Sequence, residues 1–148
     1  MIKIINGDLF DTHAEAICHQ VNCQGVMGSG IALQVKQKYP CVFEAYKDYC
    51  KEHQGDLLGR VQGVVCHGIT IYNLFAQDKY GYDGKCYTSY GALQKCFDVL
   101  ENSLPENTKI AMPYLMGCHR GGGDWNVVYQ MIENTFRRHD ILIYKRGE

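Results

Sequence analysis

The sequence has no surplus of one charge. Lys and Arg total 15 against 16 Asp and Glu in 148 residues, a formal net charge of −1, so no global basic field exists to hold a long nucleic acid by phosphate neutralisation. Long apolar runs are missing as well. No stretch approaches the roughly 20 residues of a membrane-spanning helix, and the opening MIKIINGDLF has no apolar run of signal-peptide length. A soluble, cytoplasmic domain with no membrane partner is expected. Eight cysteines are present, but no C-x-x-C, and the nearest pair, Cys18 and Cys23, has no matching Cys/His pair downstream. That spacing argues against both a zinc site and a disulfide framework, so reduced, mostly structural thiols and no metal are expected. At this length, with 46% apolar residues, a single domain over residues 1–148 is expected.

What is present is an alternation of strand and helix patterns. Residues 1–6 read as a buried strand broken by Gly7-Asp8, and residues 14–22 as a second that runs into Cys23-Gln-Gly-Val-Met-Gly-Ser-Gly30. Ile31, Val35 and Tyr39 then recur at helical spacing, with Ser29 or Gly30 as cap and Pro40 as terminator. Residues 42–53 suit a second helix, 61–67 and 69–75 a pair of neighbouring strands joined at Gly68. A tyrosine-rich loop follows. Thr88 is read as the cap of a helix carrying Leu93, Cys96, Phe97 and Leu100, which ends by Pro105. Residues 109–113 form a short strand before a second glycine turn, Gly117-Cys-His-Arg-Gly-Gly-Gly123. Asp124 caps a helix over Trp125, Val128, Met131, Ile132 and Phe136, and residues 141–144 close the order. This order implies an α/β sandwich with a mostly parallel central sheet, whose ligands bind at the C-terminal strand ends.

Both glycine turns fall at that end, each following a strand and preceding a helix. Free backbone N–H groups and the positive end of a helix dipole make an anion site without any lysine. Two such loops can clamp a diphosphate from opposite sides; read singly, each is equally a tight turn. Neither is followed by Gly-Lys-Ser/Thr, and neither is a clean G-x-G-x-x-G with a ribose-binding acid downstream, so ATP hydrolysis and hydride transfer lose ground.

Three motifs, Asn6-Gly-Asp-Leu-Phe10, Val21-Asn-Cys-Gln-Gly-Val-Met-Gly-Ser-Gly-Ile-Ala32 and Pro113-x-x-x-Gly-Cys-x-x-Gly-Gly-x-Asp-Trp125, together resemble a macrodomain over essentially the whole chain. The resemblance is to the branch of ADP-ribose-1″-phosphate phosphatases and ADP-ribosyl hydrolases. It implies a three-layer α/β/α sandwich around a mixed, mostly parallel six-stranded sheet, and a cleft for ADP-ribose or an ADP-ribosylated substrate, with no cofactor. Carried over by position, it implies that Asp8, beside the Leu9 backbone, accepts from the adenine amino group and that Tyr144 lies against adenine. Gly28, Ser29, Gly30 and Ile31 would contact the diphosphate and distal ribose, Asn22 would stand near that ribose, and Gly117, Cys118, His119, Arg120, Gly121 and Gly122 would form the opposite phosphate loop. Glutamate at Gly30 or Gly122 is then expected to abolish binding from either side.

The sequence departs from the branch in two places. Gln77 stands where its lysine is expected, with Lys79 two residues on, and Gly121 stands where the ADP-ribosyl-glutamate enzymes carry an acid that the DNA-directed ones lack. Without an amine in the pocket, an imine route through the opened ribose has no nucleophile. Asn22, Gln77 and His119 are therefore the candidates to position water or move a proton, His119 being equally a surface loop residue. Three readings stand: a hydrolase acting at the distal ribose C1″, a non-catalytic ADP-ribose reader, and a nucleic-acid module stacking bases on Tyr80, Tyr82 and Tyr87 beside Lys79, Lys85 and Arg120. Nucleic acid is otherwise expected only as the carrier of ADP-ribose.

Overall fold

A computed structural model describes residues 1–81, 83, 85–118 and 121–146; the expected site residues His119 and Arg120, and Tyr82, lie outside these. The described residues form β1 (Ile2–Asn6), a 3-10 turn (Leu9–Asp11), β2 (Ala16–Asn22), α1 (Gly30–Lys38), α2 (Pro40–Glu52), β3 (Val61–Cys66), β4 (Ile69–Gln77), α3 (Tyr90–Ser103), β5 (Lys109–Pro113), α4 (Trp125–Thr135) and β6 (Asp140–Lys145). The strands make one six-stranded sheet in the order β1-β6-β5-β2-β4-β3. Every neighbouring pair is parallel except the β3–β4 hairpin. The expected mixed, mostly parallel sheet is what forms.

Alternation along the strands builds two cores. Cys18, Leu74, Ala76, Ile110 and Met112 point to the face covered by α3 and α4, where Phe97 and Ile132 are fully buried. Ile17, Val21, Ile71, Phe75 and Ala111 point to the face covered by α1 and α2, where Val42, Tyr46 and Cys50 recur every fourth residue of α2. Burying a side chain such as Phe97 or Ile132 contributes about 1.5–3 kcal/mol each, which holds the layers together.

Boundaries shift where local chemistry outweighs pattern. Pro40, read as a terminator, opens α2, because a missing N–H costs nothing in the first helical turn. Ser89, not Thr88, caps α3, its hydroxyl accepting from Ala92 N–H at 3.1 Å. The expectation of eight unpaired thiols is corrected too: Cys41 and Cys66 are disulfide-bonded, with Cα atoms 6.5 Å apart. They lie 25 residues apart in sequence, and it is the packing of α2 back over β3 that brings them together, which spacing alone does not register. Cys18, Cys23, Cys50, Cys86, Cys96 and Cys118 are free.

Candidate functional site

The N-terminus of α1 and the turn after β5 face each other across a cleft of about 320 Å³ at the C-terminal ends of β2, β4 and β5. Asn22, Gly28, Ser29, Gly30, Ile31, Gln77, Gly117 and Gly121 all line it. Both glycine loops and two of the three candidate catalytic residues are thus brought together. Gly30 at φ +59° and Gly117 at φ +76° hold left-handed backbone that lets the chain turn into the cleft without a Cβ penalty. Ser29 caps α1 through its extended backbone, its hydroxyl making no capping bond. The leading N–H groups of α1, which have no partners within the helix, therefore open onto the cleft.

Asn22 ends β2, and both its amide nitrogen and its amide oxygen are engaged. Its Nδ2 donates to the Val26 carbonyl at 2.8 Å, while its Oδ1 accepts from Gln24 N–H at 2.9 Å and from the Tyr46 hydroxyl at 2.8 Å. Asn22 therefore shapes the first glycine loop from within. Gln77, the last residue of β4, is buried; it donates to the Lys79 carbonyl at 2.8 Å and accepts from Gln20 Nε2 at 3.0 Å. The exposed Lys79, two positions on, is not among the lining residues.

The second glycine loop is held from below by a hydrogen-bond network that sequence reading missed. Gln20 Nε2 also donates to the Thr88 hydroxyl at 2.9 Å, and that hydroxyl donates to the Gly117 carbonyl at 2.6 Å. The Gly121 carbonyl accepts from both Tyr87 and Thr88 N–H groups. A Cβ at Gly121 would collide with the Thr88 hydroxyl and the Gly117 carbonyl, which is why a glycine stands there instead of an acid. Gln20, Gln77 and Thr88 thus join β2, β4 and the start of α3 to the loop. The signal available in the sequence was His19-Gln20, two polar residues inside the strand read over residues 14–22.

A second polar relay lies on the other face of the sheet. Gln62 Nε2 donates to the Ala45 carbonyl at 3.1 Å, so its Oε1 accepts from Asn73 Nδ2 at 3.0 Å, and Asn73 Oδ1 accepts from His19 Nε2 at 2.7 Å. A carbonyl can only accept, so the order assigns the proton to Nε2 and leaves Nδ1 as an acceptor. Burial, partly offset by the bond to Asn73, drives the His19 pKa down to about 4 and keeps the ring neutral.

Other expected contacts sit at the same end of the sheet but beside the cleft. Asp8 Oδ1 caps the 3-10 turn, accepting from Phe10 N–H at 2.9 Å, and its Oδ2 lies 3.9 Å from Arg146. Leu9 is buried, and the half-buried Tyr144 hydroxyl donates to the Thr12 hydroxyl at 2.8 Å. Asp8, Leu9 and Tyr144 do not line the cleft itself. Cys118 and Gly122 lie within the second loop without lining the cleft, and burial pushes the Cys118 thiol up to about 11, away from nucleophilic use. Among the described residues, the lining carries no Asp, Glu or Lys, and no cluster of three or more His, Cys, Asp or Glu is placed to hold a metal ion.

The family model described as Macro domain matches residues 18–132, more than half of the chain. The chain belongs to the macrodomain family. This macrodomain is 30% identical over 165 aligned residues to the DNA ADP-ribosyl glycohydrolase of Mycobacterium bovis, an alignment covering 97% of this chain and 42% of that protein. It is 44% identical over 54 residues to the ADP-ribose 1″-phosphate phosphatase of Aspergillus oryzae, covering 36% of this chain and 27% of that one. The solved macrodomain of Mycobacterium tuberculosis DarG superposes with a TM-score of 0.81 at 28% identity, covering 99% of each chain. The macrodomain therefore spans about two fifths of the length of the first of these relatives.

Proposed function

We propose that this macrodomain binds ADP-ribose in the cleft and hydrolyses an ADP-ribose derivative at the distal ribose C1″, with phosphate or an ADP-ribosylated carrier as the leaving side. The observation that carries the reading is the pair of glycine loops facing one another across a single cleft, with the α1 N-terminus opening into it. Such a site attracts a diphosphate through backbone dipoles, and the described lining offers no carboxylate to repel it. Relatives named for ADP-ribosyl glycohydrolase and ADP-ribose 1″-phosphate phosphatase activities support the same chemistry. In this reading Asp8 and Tyr144 hold adenine beside the cleft, the loops from Gly28 to Ile31 and from Gly117 to Gly122 hold the diphosphate, and Asn22, Gln77 and His119 order the water that attacks C1″. Six free thiols support a cytoplasmic setting, and the Cys41–Cys66 disulfide counts against it.

The deciding measurement offers purified protein ADP-ribose-1″-phosphate and ADP-ribosylated DNA or protein, and follows release of phosphate or ADP-ribose. Turnover without any adduct trapped by borohydride is expected, because Gln77 provides no amine. An adduct mapped to Lys79 would return the chain to an imine mechanism. The second reading, a non-catalytic reader, is favoured by one observation: the amides of Asn22 and Gln77 are already committed to protein partners. Tight ADP-ribose binding with no turnover of any of these substrates would select it.

A further inference from the structure

The turn that leaves β5 carries a leucine where its geometry favours glycine. Met116 N–H donates to the Pro113 carbonyl at 3.2 Å, closing a four-residue turn whose third residue, Leu115, has φ +63°. That position in a turn of positive φ is normally Gly or Asn, because a Cβ there crowds the following backbone. Burial does not offset the strain: Leu115 is 37% exposed, yet it lines the cleft. The neighbouring segment shows that glycine is freely used here, at Gly117, Gly121, Gly122 and Gly123. A strained apolar side chain held open at a ligand cleft points to work done on the ligand.

Resting on the ADP-ribose reading, we propose that Leu115 is an apolar wall for the adenosine-side furanose of the bound nucleotide. Its place in the sheet selects that ring. Leu115 follows β5, which lies between β6, ending beside Tyr144, and β2, ending at Asn22. In the proposed pose adenine lies at the first of these and the distal ribose at the second, so the ring between them is the one joined to adenine. Its C–H face covers the leucine methyl groups and removes them from water when the ligand arrives.

The test titrates ADP-ribose and ADP calorimetrically into the wild type, Leu115→Gly and Leu115→Asn, with a thermal melt of each. Both variants accept positive φ, and Asn retains a Cβ, so its unfolded chain stays close to that of the wild type. Melting at or above the wild-type temperature for Leu115→Asn is expected, with binding of ADP-ribose and ADP weakened by the same factor, about five- to tenfold. Wild-type affinity in both variants overturns the proposal. So does a loss confined to ADP-ribose, which would move the wall to the distal ribose, or a sharp fall in melting temperature in Leu115→Asn, which would make Leu115 a packing residue. If the wild type binds neither nucleotide, the ADP-ribose reading fails and this inference falls with it, whereas intact wild-type binding with unchanged variants sinks the inference alone.

Discussion

His19 couples the site to pH through a proton it refuses. With a folded pKa of about 4 against roughly 6.5 when unfolded, it is neutral in both states above pH 6.5. As pH falls from there towards 4 the unfolded chain binds the proton and the fold does not, so stability drops, by on the order of 3 kcal/mol for this group. Urea denaturation at pH 7 and pH 5 should therefore show a shallower loss for His19→Gln than for the wild type; equal slopes would mean that the ring is already charged in the fold. Asn22 makes a different residue-scale case. Because its amide ties Val26, Gln24 and Tyr46 together, Asn22→Ala is expected to cost about 1–3 kcal/mol of stability as well as turnover. Tyr46→Phe removes one donor from the same knot and should cost about 1 kcal/mol, with ADP-ribose affinity falling only if loop shape governs binding. Chemical denaturation and calorimetry of the pair would separate the two effects.

At the level of elements, the two glycine loops are not equivalent. A Cβ at Gly30 meets nothing within 4 Å, whereas one at Gly122 would strike the Lys85 carbonyl, and both residues hold positive φ. Gly30→Glu is thus expected to fold with modest strain and lose ADP-ribose binding to bulk and charge. Gly122→Glu should undock the loop from the segment before α3, lowering the melting temperature along with affinity, so the expectation that the two behave alike does not survive the structure. Circular dichroism melts beside binding isotherms would show the split; equal melts would place Gly122 away from Lys85. Helices α2, α3 and α4 were legible because each repeats buried residues at spacings of three or four, whereas α1 buries Val35 alone. The loop anchors were not, since Gln20, Thr88 and Gly121 are far apart in sequence and meet only through β2, β4 and the second loop. Leu115 escaped notice for the same reason: its significance lies in a backbone angle that no side-chain pattern records.

For the molecule as a whole, the alternation of elements was enough to indicate a layered sheet, but the Cys41–Cys66 bond depends on how the layers pack. It closes at the end of the sheet opposite the cleft, where α2 begins and β3 ends. Cys41→Ser should therefore lower stability, by about 2–4 kcal/mol if loop closure dominates, while leaving ADP-ribose affinity unchanged; a parallel loss of affinity would reveal coupling between the two ends. The sheet order carries a further consequence, for synthesis. Ile2 pairs with Ile141 and Asn6 with Lys145, so among the described residues β1 has a single strand neighbour, β6, which follows the other five strands in sequence. On a ribosome adding roughly 5–20 residues each second, the other strands emerge and can pair while β1 has nothing to join. Of the six strands, the one translated first is thus the last to be recruited, and its apolar Ile2, Ile4 and Ile5 must stay unaggregated through the interval before β6 clears the exit tunnel.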